Sequence, residues 1–228
     1  MTRVAMLAPM QHELRPLVRR LSLTPDGDAH RGRAGDVEVV AVLTNIGMDA
    51  AADATTEVLH LGVDHVMVVG IAGGVDPGIE IGALIVPESV IDRSTGDVFA
   101  PHHLGGIQPR GTLSCGDDLI VDPDILAEMS ATGVVALDME TAAVAAVCER
   151  NGRPWSVYRS ISDHAGGGLI DDELFAMTRP DGSADPDALA RYLAADPRRG
   201  EVLDRLARDM TVATEAAAEA AILACASL

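Results

Sequence analysis

Residues 63–71 form an almost unbroken apolar run whose ionisable members, Asp64 and His65, stand at its start. A strand apolar on both faces needs a layer packed on each side, which is the habit of parallel sheets flanked by helices. The run leads into Gly73 and Gly74, where the sequence predicts a turn. Asp76, Pro77 and Gly78 make another turn behind them, so no helix opens after the glycines, which argues against a dinucleotide-binding fold.

Similar units flank this run. Residues 4–8 read as a strand, followed by helical spacing of Met10, Leu14, Leu17 and Leu21. Residues 37–43 read as a β-branched strand, then Asn45, Ile46 and Gly47 break the chain before an alanine-rich helix over 48–61. A strand is expected over 83–91 with Pro87 inside it, and a long surface loop over 93–110. Further strands over 134–137 and 155–161 bracket a helix over 141–150. Residues 177–200 carry Pro180, Gly182, Pro186 and Pro197 around one short helical stretch, an insertion suited to a lid or a subunit contact. Residues 201–226 set Leu203, Leu206, Met210, Ala213, Ala217 and Ala220 three or four apart, the pattern of a long amphipathic helix. One α/β domain spanning residues 1–228 accounts for the whole pattern.

Composition then removes several functions. The chain of 228 residues has 17 basic side chains, all arginine, so Schiff-base chemistry and a Walker-type phosphate lysine are excluded. A formal charge of −18 repels a polyphosphate backbone, so no nucleic-acid partner is expected. Cys115, Cys148 and Cys225 show no metal or disulfide spacing, which fits a reducing cytoplasm. No signal peptide and no apolar stretch of the ~18 residues that a membrane helix needs is expected, hence no membrane partner. His102 and His103 are adjacent but lack a zinc signature, so neither metal nor cofactor is expected. Cys115 has no nucleophile elbow around it and reads as a packing residue.

Three acids stand at or just beyond the carboxyl ends of expected strands: Glu13, Glu140 and Asp163. That edge of an open α/β sheet is where ligands bind, although each acid alone suits a helix cap or a satisfied structural carboxylate equally well. Their surroundings carry a resemblance. The segments A-P-M-Q-H-E (8–13), N-I-G (45–47), V-G-I-A-G-G-V (69–75), S-C-G-D (114–117), L-D-M-E-T-A-A (137–143) and R-S-I-S-D (159–163) occur in this order. Together they resemble the purine nucleoside and uridine phosphorylase superfamily, and most closely its methylthioadenosine/S-adenosylhomocysteine nucleosidase branch.

The resemblance implies a single-domain, three-layer αβα fold around a mixed twisted sheet. It also implies hydrolysis of the N-glycosidic bond of 5′-methylthioadenosine, S-adenosylhomocysteine or another 5′-substituted adenosine. Glu13 would be the base for the attacking water, Asp163 the acid for the leaving purine, and Glu140 with Met139 would hold the ribose hydroxyls. Cleavage through an oxocarbenium-like state requires this division of labour, so Asp163 is expected to have a raised pKa and Glu13 to stay ionised. Gly73 would admit the sugar or base closely, Leu119 and Ile120 would contact the base, and Ser162 and Arg159 complete the expected site. Leu119 and Ile71 depart from the family, which often places a ring and a hydroxyl there. The 91–110 loop is shorter than in the methylthioadenosine enzymes and keeps only Phe99 where those relatives use aromatic residues to cover the alkylthio tail.

Two other activities fit the same residues: phosphorolysis, and nucleoside sensing without turnover. Phosphorylases carry an arginine before the glycine segment, where this chain has Val68, and Arg159 is better suited to orient Glu13 or water than to bind phosphate. A sensor needs no proton donor. A homodimer or larger homo-oligomer is expected from the family.

Overall fold

The computed structural model describes residues 1–196 and 198–228; Pro197, part of the expected insertion, lies outside the described residues. Strand β1 (Arg3–Ala8) is followed by α1 (Gln11–Leu21), the hairpin β2 (Thr24–Asp26) and β3 (Ala29–Ala34), and β4 (Val37–Leu43). Then come α2 (Met48–His60) and β5 (His65–Gly74), the short strands β6 (Leu84–Ile85), β7 (Ser89–Asp92) and β8 (Val98–Phe99), and β9 (Thr112–Cys115). Helix α3 (Pro123–Ala131), β10 (Val134–Asp138), α4 (Thr141–Arg150) and β11 (Trp155–His164) complete the sheet. Helices α5 (Asp172–Ala176), α6 (Pro186–Ala195) and α7 (Arg199–Ala224) end the chain.

The expected burial on both faces of the central strands is what assembles the layers. In β1, Ala5 and Leu7 enter one core with Val66 and Val68 of β5, under α2 and α4. The alternate residues Val4, Met6 and Ala8 enter a second core with Met67 and Val69, under α1 and α7. Period-two alternation of strand side chains therefore divides one apolar run between two helix layers. The sheet is mixed: β5 runs parallel to β1 and β11 but antiparallel to β10.

Four expectations need correction. Gly73 and Gly74 are not a turn but the last residues of β5, paired with Leu137 and Ala136 on one side and with Asp163 and His164 on the other. The expected strand over 83–91 is two strands, because β6 pairs with β11 whereas β7 pairs with β9. Pro87, which cannot donate to a ladder, lies in the crossing. Helix α7 is, by length and composition, apolar enough to cross a membrane, contrary to the expectation for this chain. Its alanines nevertheless face the second core, where Ala213, Ala217, Ala218, Ala221 and Ala224 are fully buried. Small side chains let this helix lie close against β5 and β11. Finally, Phe99 packs against the first core and borders neither of the cavities described below.

Candidate active site

Strands β5, β10 and β11 meet at Gly73, which pairs with Leu137 and with Asp163. Around this junction lies a cavity of about 520 Å³, bordered by Glu13, Gly73, Met139, Glu140, Ser162 and Asp163 among others. A smaller chamber of about 160 Å³ adjoins it, sharing Gly73, Asp138, Met139 and Asp163 and adding Leu119 and Ile120. The expected acids, with Met139, Ser162, Gly73, Leu119 and Ile120, thus gather about one connected space.

Arg159, fully buried on β11, is the hub. Its Nε and Nη2 donate to Asp138 Oδ2 at 2.9 and 2.6 Å, Nη2 also donates to Glu140 Oε2 at 2.8 Å, and Nη1 reaches Glu13 Oε1 at 3.4 Å. Thr141 Oγ1 adds a donor to Asp138 Oδ2. Three carboxylates around one guanidinium would bury excess negative charge if all were ionised, a cost that protonation relieves.

Local structure explains where Glu13 sits. It occupies the third position of α1, and its Oε2 accepts from the Met10 backbone N–H that precedes the helix, at 2.7 Å. Oε1 accepts from Ile71 N–H at 2.7 Å. Removal from water, only partly offset by Arg159 and worsened by Glu140, pushes its pKa up to about 8. The upward shift runs against the expectation that Glu13 stays ionised, whereas both of its oxygens accept N–H donors as a carboxylate does. Burial likewise raises Glu140, whose Oε1 accepts from Gly47 N–H at 3.1 Å and whose side chain caps no helix.

Asp163 is raised as expected, chiefly by burial, with the Ser162 hydroxyl opposing the shift by donating to Oδ1 at 2.6 Å. A register shift between Ile161 and Asp163 makes Ser162 an extra residue in β11, and a bulge of this kind re-aims the side chains beside it. His164 does not point to a catalytic role, because its Nε2 is engaged by the Ile79 carbonyl at 2.7 Å. Cys115 is buried, and burial raises its thiol well above the usual range, in keeping with a packing residue.

Three residues of the site were not singled out from sequence. Asp138 anchors Arg159 through Oδ2 while its buried Oδ1 has no partner among the described residues. Gly70 is the glycine that matters sterically: a Cβ there would overlap Glu13 Oε1 and lie 2.6 Å from Arg159 Nη1, whereas one at Gly73 would sit 3.7 Å from Asp163 Oδ2, an ordinary contact. Arg93, beside the smaller chamber, donates to the carbonyls of Ser114, Gly116 and Asp118 and so fixes the loop leading to Leu119. The motif 69–75 contained Gly70, but only the positions of two side chains distant in sequence reveal its role.

A profile of the phosphorylase superfamily matches residues 3–131 and 107–195, and the chain belongs to that superfamily. A 5′-methylthioadenosine/S-adenosylhomocysteine nucleosidase of Tolumonas auensis is 30% identical over 168 residues, 60% of this chain and 73% of the relative. The corresponding Bacillus subtilis enzyme is 29% identical over 72% of this chain and 87% of its own. An aminodeoxyfutalosine nucleosidase of Helicobacter pylori is 24% identical over 72% of this chain and 87% of its own. The fold agrees: futalosine hydrolase of H. pylori superposes with a TM-score of 0.73 at 18% identity, covering 100% of this chain and 98% of the other. Within the superfamily the chain lies on the nucleosidase branch, whose enzymes hydrolyse N-glycosidic bonds.

Proposed function

We propose that this protein hydrolyses the bond between a purine and the ribose of a 5′-substituted adenosine, with 5′-methylthioadenosine as the reference substrate. The observation that carries the reading is the placement of Glu13, Glu140 and Asp163 around one connected cavity whose two chambers suit a sugar and a base. In this reading the purine lies in the smaller chamber between Gly73 and the Leu119–Ile120 backbone. Protonated Asp163 gives its proton to the leaving base, so that the electron pair of the breaking glycosidic bond ends on a neutral purine. Glu140 accepts from the ribose hydroxyls, and its negative charge stabilises the developing oxocarbenium ion.

Glu13 takes the proton of the attacking water. A base with a pKa near 8 is more basic than an ordinary carboxylate, and it is ionised in a useful fraction near neutrality. Binding of a substrate on which positive charge develops favours the ionised form. Water rather than phosphate is supported by Arg159, whose guanidinium is already engaged by Asp138, Glu140 and Glu13, and by the larger cavity, which no arginine borders among the described residues.

Incubation of the purified protein with 5′-methylthioadenosine, with and without phosphate, tests the reading. Adenine release with free methylthioribose at a rate independent of phosphate is the expected result. Formation of the sugar 1-phosphate overturns hydrolysis, and binding without release points to a sensor.

A further inference from the structure

The smaller chamber has one wall with no ladder of its own. Between the end of β9 at Cys115 and the start of α3 at Pro123, residues 116–122 belong to neither helix nor strand, yet Leu119 and Ile120 of this stretch border the chamber. Such a segment moves unless its main-chain groups are tied down. Arg93, directly after β7, ties them from one side: Nη1 donates to the Ser114 carbonyl at 3.2 Å, and Nη2 donates to those of Gly116 and Asp118 at 2.8 and 2.9 Å. In a chain with 35 acidic side chains, these donors go to carbonyls and not to a carboxylate. The guanidinium lies against the Gly116 main chain, where a Cβ would come within 3.0 Å of Arg93 Cζ. A planar fork of donors can span three carbonyls, whereas a lysine ammonium is a single point of charge.

Asp117 ties the same loop from the other side. Helix α2 begins after Gly47, which has no side chain to cap it, and the exposed Asp117 supplies the cap from the loop: its Oδ1 accepts from Met48 N–H at 2.9 Å. The preceding N–H, that of Gly47, donates to Glu140 Oε1 at 3.1 Å. Two successive N–H groups at one helix start thus hold a side chain of the base loop and the carboxyl group assigned to the ribose. We propose that Arg93 and Asp117 are positioning residues for glycoside cleavage: Arg93 fixes the wall that receives the purine, and Asp117 couples that wall, through the start of α2, to Glu140. The inference rests on the nucleosidase reading above. Losing Arg93 weakens the hold on the base in the ground and transition states alike, which raises KM. Losing Asp117 also frees the N–H that aligns Glu140, whose charge matters most when positive charge develops on the sugar, and so lowers kcat.

The test measures kcat and KM for adenine release from 5′-methylthioadenosine, and the Kd of free adenine by calorimetry, in the full chain and its variants. Arg93→Lys keeps the charge and the aliphatic stem, and with them the fold, yet is expected to raise KM and the adenine Kd about tenfold or more while kcat stays within about threefold. Arg93→Gln is expected to behave in the same way. Asp117→Ala, a change at an exposed position, is expected to raise the adenine Kd and also to lower kcat about tenfold. Asp117→Asn retains an oxygen acceptor for Met48 N–H and is expected to restore both to within about threefold of the unaltered protein. An adenine Kd unchanged in both Arg93 variants would overturn the role of Arg93, and a kcat unchanged in Asp117→Ala would overturn the coupling to Glu140. Either result leaves the nucleosidase reading intact, because the unaltered protein still releases adenine. No release by the unaltered protein would overturn that reading, and the proposal with it.

Discussion

Gly70 and Ser162 show how the site depends on residues that carry no charge. Gly70→Ala would drive its methyl into Glu13 Oε1 and against Arg159, so Glu13 would have to swing from the Ile71 and Met10 N–H groups toward the cavity. We expect kcat/KM to fall by about 100-fold or more, since displacing a catalytic group by an ångström has that effect. Steady-state kinetics on the folded variant would check it. Ser162→Ala removes the hydroxyl that stabilises the Asp163 carboxylate, so the Asp163 pKa should rise further. The proposed proton donor then persists to higher pH, so the limb of the kcat/KM profile that follows Asp163 shifts upward, while the limb that follows Glu13 stays in place. The three acids were legible in the sequence because each sits in a contiguous motif with its neighbours. Gly70 and the anchoring role of Asp138 were not, because they follow from the meeting of α1, β5, β10 and β11, segments up to 146 residues apart.

At the level of elements, the strands and helices with strong periodicity were legible, as β4 and the helices α2 and α4 show. The hairpin of β2 and β3 was not: Thr24, Pro25 and Asp26 are all exposed, so no burial pattern marks them. Nor could sequence assign Phe175 rather than Phe99 to the cavity, since one aromatic residue on a short helix resembles one on a short strand. The segment expected to be a lid or a subunit contact covers the site within its own chain. It is latched by Gln11 N–H to the Asp181 carbonyl at 3.0 Å and by Ile46 N–H to the Pro180 carbonyl at 2.8 Å. Gly182, at φ +80°, leaves no room for a Cβ, which would lie 2.5 Å from Met10 Cγ. Gly182→Val should unlatch this cover, raising KM more than it lowers kcat and making residues 165–200 easier to cleave in limited proteolysis. Unaltered KM and proteolysis would show that the latch is idle.

For the molecule as a whole, burying three carboxyl groups whose pKa values are raised, Glu13, Glu140 and Asp163, shapes the pH dependence of stability. The folded state holds these protons more tightly than the unfolded chain does, so it loses stability as pH rises from the ordinary carboxylate range, near 4.5, toward 8. Thermal melts should therefore show a midpoint that falls as pH rises from about 6 to about 8, and the slope should flatten in Glu13→Gln whatever that variant's absolute stability. A neutral 5′-thioadenosine analogue that resists cleavage should raise the midpoint at every pH in this interval.

The bulge in β11 gives Asp163, the proposed proton donor, an unusual kind of address. Side chains on a strand face alternate sides, so one additional backbone unit decides whether the carboxyl group after Ile161 looks into the chamber or away from it. Excising Ser162 would remove the hydroxyl that donates to Asp163 and turn that carboxyl group away from the chamber. Point substitution alone cannot reproduce that change.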